Sequence, residues 1–142
     1  MIQISEDEMF VSKNEDSNTV AILIKHISGN MKSRFTDFLT TDGEKSWRNR
    51  DGEFTSEKWS REKLMGKWED GWQCLLDVVE ALSPSDLKKQ VLISGEINSV
   101  IRALQRQLVH YAYHTGQIVY ICKEIRSIDF QTLSIPKKKP DN

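Results

Sequence analysis

The residues of this chain whose types and spacing could do chemistry are its three histidines. His110 and His114 stand i, i+4 within Leu-Val-His-Tyr-Ala-Tyr-His-Thr-Gly-Gln, residues 108–117. On a helix such a pair shares one face, with Cβ atoms roughly 5–6 Å apart. Two imidazoles so placed can share one divalent ion. His26 lies in a second amphipathic segment and completes a three-imidazole set if two helices pack side by side. Three neutral imidazoles with a fourth position open to water make a catalytic type of site rather than a closed structural one. Zinc, nickel, iron and manganese all accept imidazole; zinc and nickel are the first expectations. The competing reading is of boundary histidines satisfied by local hydrogen bonds. A zincin is set aside, because its signature needs Glu directly after the first histidine and Tyr111 stands there. Gln107 and Gln117 continue the same stripe and could orient the imidazoles from behind.

Other residues carry weaker signals. Trp47, Arg48, Arg50 and Asp51 could line the mouth of the site, the guanidinium groups binding an anionic substrate; the alternative is a solvated loop pinned by Trp47. Tyr111 reads as core and Tyr113 as facing elsewhere. Trp59, Trp68 and Trp72 read as packing. Ser28 and Ser33 have no histidine–acid pattern for nucleophilic catalysis. Cys74 and Cys122 form no Cys-x-x-Cys motif and read as reduced core or half-buried residues, a disulfide or metal thiolate being the alternative. No Asp or Glu stands beside the histidines in sequence as a general base.

The elements that must position these side chains are helices. Apolar residues at helical spacing mark three long ones. The first spans about 19–39 (Val20, Ile24, Ile27, Met31, Phe35, Phe38), with Ser17 or Asn18 as N-cap. The second spans about 60–82 (Met65, Trp68, Trp72, Leu75, Val79, Leu82). The third spans about 96–127, with a 4-3-4-3 seam of Ile97, Ile101, Leu104, Leu108, Tyr111, Thr115, Ile118, Cys122 and Ile125. That seam predicts shallow-angle bundle packing, with His110 and His114 at the margin of the buried face. Ser5–Glu8 and Ser83–Asp86 have capping-box spacing and predict two short helices. Residues 40–55 read as a long polar loop. No segment shows sustained period-2 alternation, so the fold class is all-α. The domain runs over 1–135, and 136–142 form a C-terminal tail.

The totals bound the function. The chain has 142 residues, enough for one core, and its 20 basic and 21 acidic residues leave a net charge of −1. Basic residues are dispersed, so nothing suggests a nucleic-acid surface. The longest apolar run, Val20–Ile24, is far too short to span a bilayer. No signal peptide is visible, and the default expectation is a cytoplasmic protein.

Three stretches, Lys25-His-Ile-Ser-Gly-Asn-Met31, the loop from Thr40 to Phe54, and His110-Tyr-Ala-Tyr-His-Thr-Gly-Gln-Ile118, resemble the DinB/YfiT-like superfamily, closest to a bacterial subfamily of unknown function. The resemblance runs from about Ser5 to Pro136. It implies a four-helix bundle, often homodimeric, and a divalent metal on one histidine of the second helix and two of the fourth. Those positions are His26, His110 and His114. The family's long first helix precedes the stretch matching Ser5–Phe10, so this chain is expected to lack most of it. The superfamily includes thiol-dependent S-transferases, isomerases and metal-dependent hydrolases. The expected function is therefore thiol transfer, or a related metal-assisted hydrolysis, on a small-molecule substrate. The alternative is a non-catalytic helical dimer or stress-associated interaction module, with the metal structural or absent. Three long helices with wide apolar stripes leave a face to cover, which again suggests a homodimer.

Overall fold

The computed structural model describes residues 3–55 and 57–136; residues 137–142 of the expected tail lie outside the described residues. Three long helices dominate: α1 (Val20–Phe35), α2 (Arg61–Ala81) and α3 (Val100–Arg126). Their starts follow from side-chain caps. Thr19 accepts from the Ile22 amide, Ser60 from Lys63 and Ser99 from Arg102, each satisfying a backbone N–H that the first turn leaves free. The cap of α1 is thus Thr19, one residue beyond Asn18 and two beyond Ser17. The helix ends at Phe35, four residues before the expected stop, where Asp37 takes a positive φ of 48°. Phe38 still reaches the core from beyond that turn.

Ser5 and Glu8 form the reciprocal capping box, Ser5 N donating to Glu8 Oε2 at 2.6 Å and Glu8 N to Ser5 Oγ at 3.3 Å. The element that follows is only a 3₁₀ turn, Asp7–Phe10. Ser83 and Asp86 likewise pair, ahead of the short turn Asp86–Lys88.

The all-α expectation is corrected between residues 90 and 99. Strands β1 (Gln90–Ile93) and β2 (Glu96–Ser99) form an antiparallel hairpin with Ile93 opposite Glu96. Ser94 and Gly95 turn it with φ of 53° and 78°, the two positive values that match a hairpin's twist. Asp42 fastens the turn, accepting from the Ser94 and Gly95 amides at 2.8 and 2.6 Å. The Glu44 amide foremost, with those of Gly95 and Ser94, holds its carboxyl below the usual range against the opposing effect of burial. The strands are too short for period 2 to stand out, but the Ser-Gly pair that follows Val91-Leu92-Ile93 is a readable turn signal.

α1 is the central element, packed along α2 and also against α3. Val20, Leu23, Ile24, Ile27, Met31 and Phe35 are buried, and so are Lys25, His26, Ser28, Asn30, Ser33 and Arg34. A helix buried nearly all round must find partners for its polar groups, and on α1 those groups mark the site.

The seam of α3 also differs from expectation. The buried line is Val100, Ala103, Gln107, Tyr111, His114, Ile118 and Cys122, whereas Ile101 is 43% exposed and Leu108 70%. The C-terminal half follows the apolar seam. In the N-terminal half the buried line is turned by about one residue, which brings Gln107 inward, while His114 replaces Thr115 farther along. α1 approaches from the histidine side, and Ile101 and Leu108 stay exposed among the described residues. No described helix is long and apolar enough to cross a membrane.

Candidate metal centre

α1 contributes His26 and α3 contributes His110 and His114. Their ligating nitrogens all lie within 4.8 Å of one another. His110 Nε2 is 3.2 Å from His26 Nε2 and 3.1 Å from His114 Nε2. Two nitrogens each 2.0–2.1 Å from one tetrahedral ion would stand roughly 3.3 Å apart, so these two separations fit a shared ion.

The outer nitrogens decide which way the lone pairs point. Glu53 Oε2 lies 3.0 Å from His26 Nδ1, and Gln117 Oε1 2.7 Å from His114 Nδ1. Both oxygens are acceptors, so each Nδ1 carries the proton and donates it outward. The Nε2 lone pairs of His26 and His114 are left facing His110. Only one of the two close nitrogen contacts can be bridged by a proton on His110 Nε2. His110 Nδ1 is buried without a hydrogen-bond partner among the described residues. Burial first, then the neighbouring imidazoles, push His110 down to about 4; burial also lowers His114, opposed by its bond to Gln117. Both therefore favour the neutral form that ligates a metal.

Glu53 is the residue of the candidate site that the sequence did not reveal: it shows no carboxylate beside the histidines. It comes from the 3₁₀ turn Asp51–Phe54 at the end of the 40–55 loop, where no periodicity carries a signal. Its approach depends on Gly29: a Cβ there would stand 2.1 Å from Glu53 Oε1. The Lys25–Met31 stretch and the loop thus interlock at one contact. Arg48 clamps the same carboxylate, Nε donating to Oε1 at 2.8 Å and Nη2 to Oε2 at 2.9 Å. Phe54 packs on the His26 ring, centroids 4.9 Å apart.

The remaining candidates fall in different places. Gln117 reaches the site; Gln107 is buried, its Oε1 has no partner among the described residues, and it makes no hydrogen bond to the histidines. The Arg48 side chain is only 4% exposed and is committed to Glu53 and Glu44. Arg50 is exposed, paired with Asp51 and set over Phe54. Trp47 is 58% exposed and so does not pin its loop to the core. Tyr111 is buried and donates to Asn30 Oδ1 at 3.4 Å. Tyr113, expected to face elsewhere, packs its ring edge-on against His114 and accepts from Gln117 Nε2 at 3.2 Å. Both cysteines are free.

Two cavities reach the outer partners of the histidines, although no histidine lines either one. One of about 1020 Å³ lies between residues 11–18 and α3 and includes Tyr113 and Gln117. The other, about 570 Å³, includes Arg48 and Glu53. Compared with known proteins, residues 1–139 match the model of a family described as "Protein of unknown function (DUF1572)". No curated protein and no solved structure matches the chain.

Proposed function

This chain belongs to the DUF1572 family, and from that premise we propose that it is a divalent-metal-dependent enzyme of the DinB/YfiT-like type, acting by thiol transfer or a related metal-assisted hydrolysis. His26, His110 and His114 are the protein ligands. The observation that carries the reading is the convergence of three Nε2 atoms, two of them with lone pairs aimed inward by acceptors on Nδ1. Buried lone pairs that face one another repel, and a shared cation is the group that satisfies them together.

When bound, such an ion supplies Lewis acidity and lowers the pKa of a coordinated nucleophile. The chain's own residues do the rest. Glu53, held by Arg48, keeps His26 in the tautomer that ligates. Gln117 does the same for His114, and Tyr113 secures Gln117. Phe54 screens His26 from water. Glu53 is tied to both Arg48 and His26, which leaves it poorly placed to accept a proton from a substrate. A thiol, with a pKa of about 8.5, needs less help to ionise than water does. This favours transfer to or from a small thiol, with the larger cavity beside Gln117 receiving the substrate.

The apolar side chains left open on α2 and α3 are suited to a second copy, or to a further helix that would complete a four-helix bundle. The testing experiment is metal analysis of protein purified without chelators, followed by turnover of thiol conjugates by the metal-loaded form. About one ion per chain, with loss of both metal and turnover in His114→Ala, is the expected result. No bound divalent metal overturns the reading. Stoichiometric metal without turnover instead supports a non-catalytic helical module.

A further inference from the structure

The 570 Å³ cavity lies across the Arg48–Glu53 pair from the histidines, and what lines it is dominated by donors. α1 supplies Lys25, Ser28 and Lys32, spaced i, i+3, i+7 and therefore on one stripe, adjacent to the stripe that carries His26. α2 adds Lys67, and the segments between the helices add Trp47 and Trp59.

Two of these residues have buried donors without a hydrogen-bond partner among the described residues: the Ser28 hydroxyl and the Trp59 Nε1–H. Ser28 is only 3% exposed. Lys25 is buried as well, and its Nζ donates to the Thr55 carbonyl at 2.7 Å and the Glu57 carbonyl at 3.4 Å, leaving a third N–H. Lys32 and Lys67 form no ion pair among the described residues. Of the two carboxylates at the cavity, Glu53 is already consumed by Arg48 and His26, which leaves Glu57 against three ammonium groups. Buried donors left unmade are costly. What satisfies a ring of N–H and O–H donors with excess positive charge is an oxyanion.

We propose that this cavity is a binding site for the phosphate or carboxylate group of a small molecule, held by Ser28, Lys25, Lys32, Lys67 and the Trp59 indole N–H. Trp47, largely exposed at the cavity, would lie against the body of the ligand. Anion recognition near the centre thus falls to these lysines rather than to Arg48, whose guanidinium is occupied. The site stands independently of the metal reading, since none of its residues is a metal ligand.

The test uses the full chain after chelator treatment, titrated with inorganic phosphate and with acetate and followed by tryptophan fluorescence. Saturable binding of one of the two is expected, and which one saturates identifies the anionic group. Lys32→Gln with Lys67→Gln should weaken it roughly tenfold, about 1.4 kcal/mol. Both lysines are exposed, so the variant should fold. Lys88→Gln, away from the cavity, should leave affinity unchanged, as should reloading with zinc. Absence of saturable binding by either anion overturns the proposal, as does binding that survives the double lysine change intact. Phosphate or acetate binding in a protein that takes up no metal would retain this site while removing the metal one.

Discussion

Gly29→Ala should separate metal affinity from stability. An added Cβ would meet Glu53 Oε1 at 2.1 Å and Cδ at 2.8 Å, far inside contact distance, so the carboxylate must withdraw. Because Cδ must move with Oε1, the withdrawal breaks the Oε2 contact to His26 Nδ1, now 3.0 Å, as well as shifting Oε1 against Arg48 Nε. Removing such an outer partner typically costs about 10–100-fold in metal affinity, or about 1.4–2.7 kcal/mol at 1.4 kcal/mol per factor of ten. The metal-free protein responds differently. Ala replaces Gly inside α1, a gain of about 1 kcal/mol in helix propensity, which offsets part of the strain placed on the Arg48–Glu53 pair. The expected result is therefore a metal-free melting temperature close to wild type beside zinc binding weakened by one to two orders of magnitude. Competition against a chromophoric chelator measures the affinity, and calorimetry of the metal-free forms measures the stability. Glu53→Gln should lower affinity similarly, and the double change should cost little more than either alone, because both act through one contact. Wild-type zinc affinity in Gly29→Ala would refute the argument that Glu53 must reach His26 across a bare Cα. Additive losses would refute the shared route.

Three further outcomes follow from the same geometry. Burial holds His110 near 4 and lowers His114, whereas an unfolded imidazole titrates near 6.5; between these values the unfolded chain takes up protons that the folded chain does not. Metal-free stability should thus fall as pH drops from about 6.5 toward 4, His110 contributing no more than about 1.4 kcal/mol per pH unit; thermal melts that stay level across that window in wild type would contradict this. Arg48→Ala should destabilise by about 3 kcal/mol, because it leaves Glu53 buried without its cation, whereas Arg50→Ala on the exposed Asp51 pair should stay within about 0.5 kcal/mol; denaturant titration of the two variants checks the contrast. Leu108 and Ile101, apolar and exposed on α3, should drive self-association, so sedimentation of Leu108→Glu should show a smaller species than wild type, and a wild-type monomer with a cooperative melt at micromolar concentration would count against it.

The sequence alone determined much that is local. Helical spacing located three long helices within a few residues at most ends, because apolar periodicity and Ser or Thr caps act over one or two turns. The i, i+4 spacing placed His110 and His114 on one face, since helix geometry admits no other arrangement. Gln117 was legible for the same reason, three residues from His114 on the same helix.

What only the tertiary structure decided depends on contacts between elements. The inward rotation of the first half of α3 could not be read from its apolar seam, because the face a helix buries is chosen by what packs against it, and here α1 brings His26. The hairpin at 90–99 is held by its own ladder and by Asp42, forty-eight residues upstream of its first residue. Glu53 was invisible for a related reason. It lies in a loop, twenty-seven residues from His26, and reaches that imidazole only because Gly29 has no side chain and Arg48 neutralises the carboxylate. Periodicity reports which residues share a face; which loop residue closes onto that face is set by packing and charge after the helices meet.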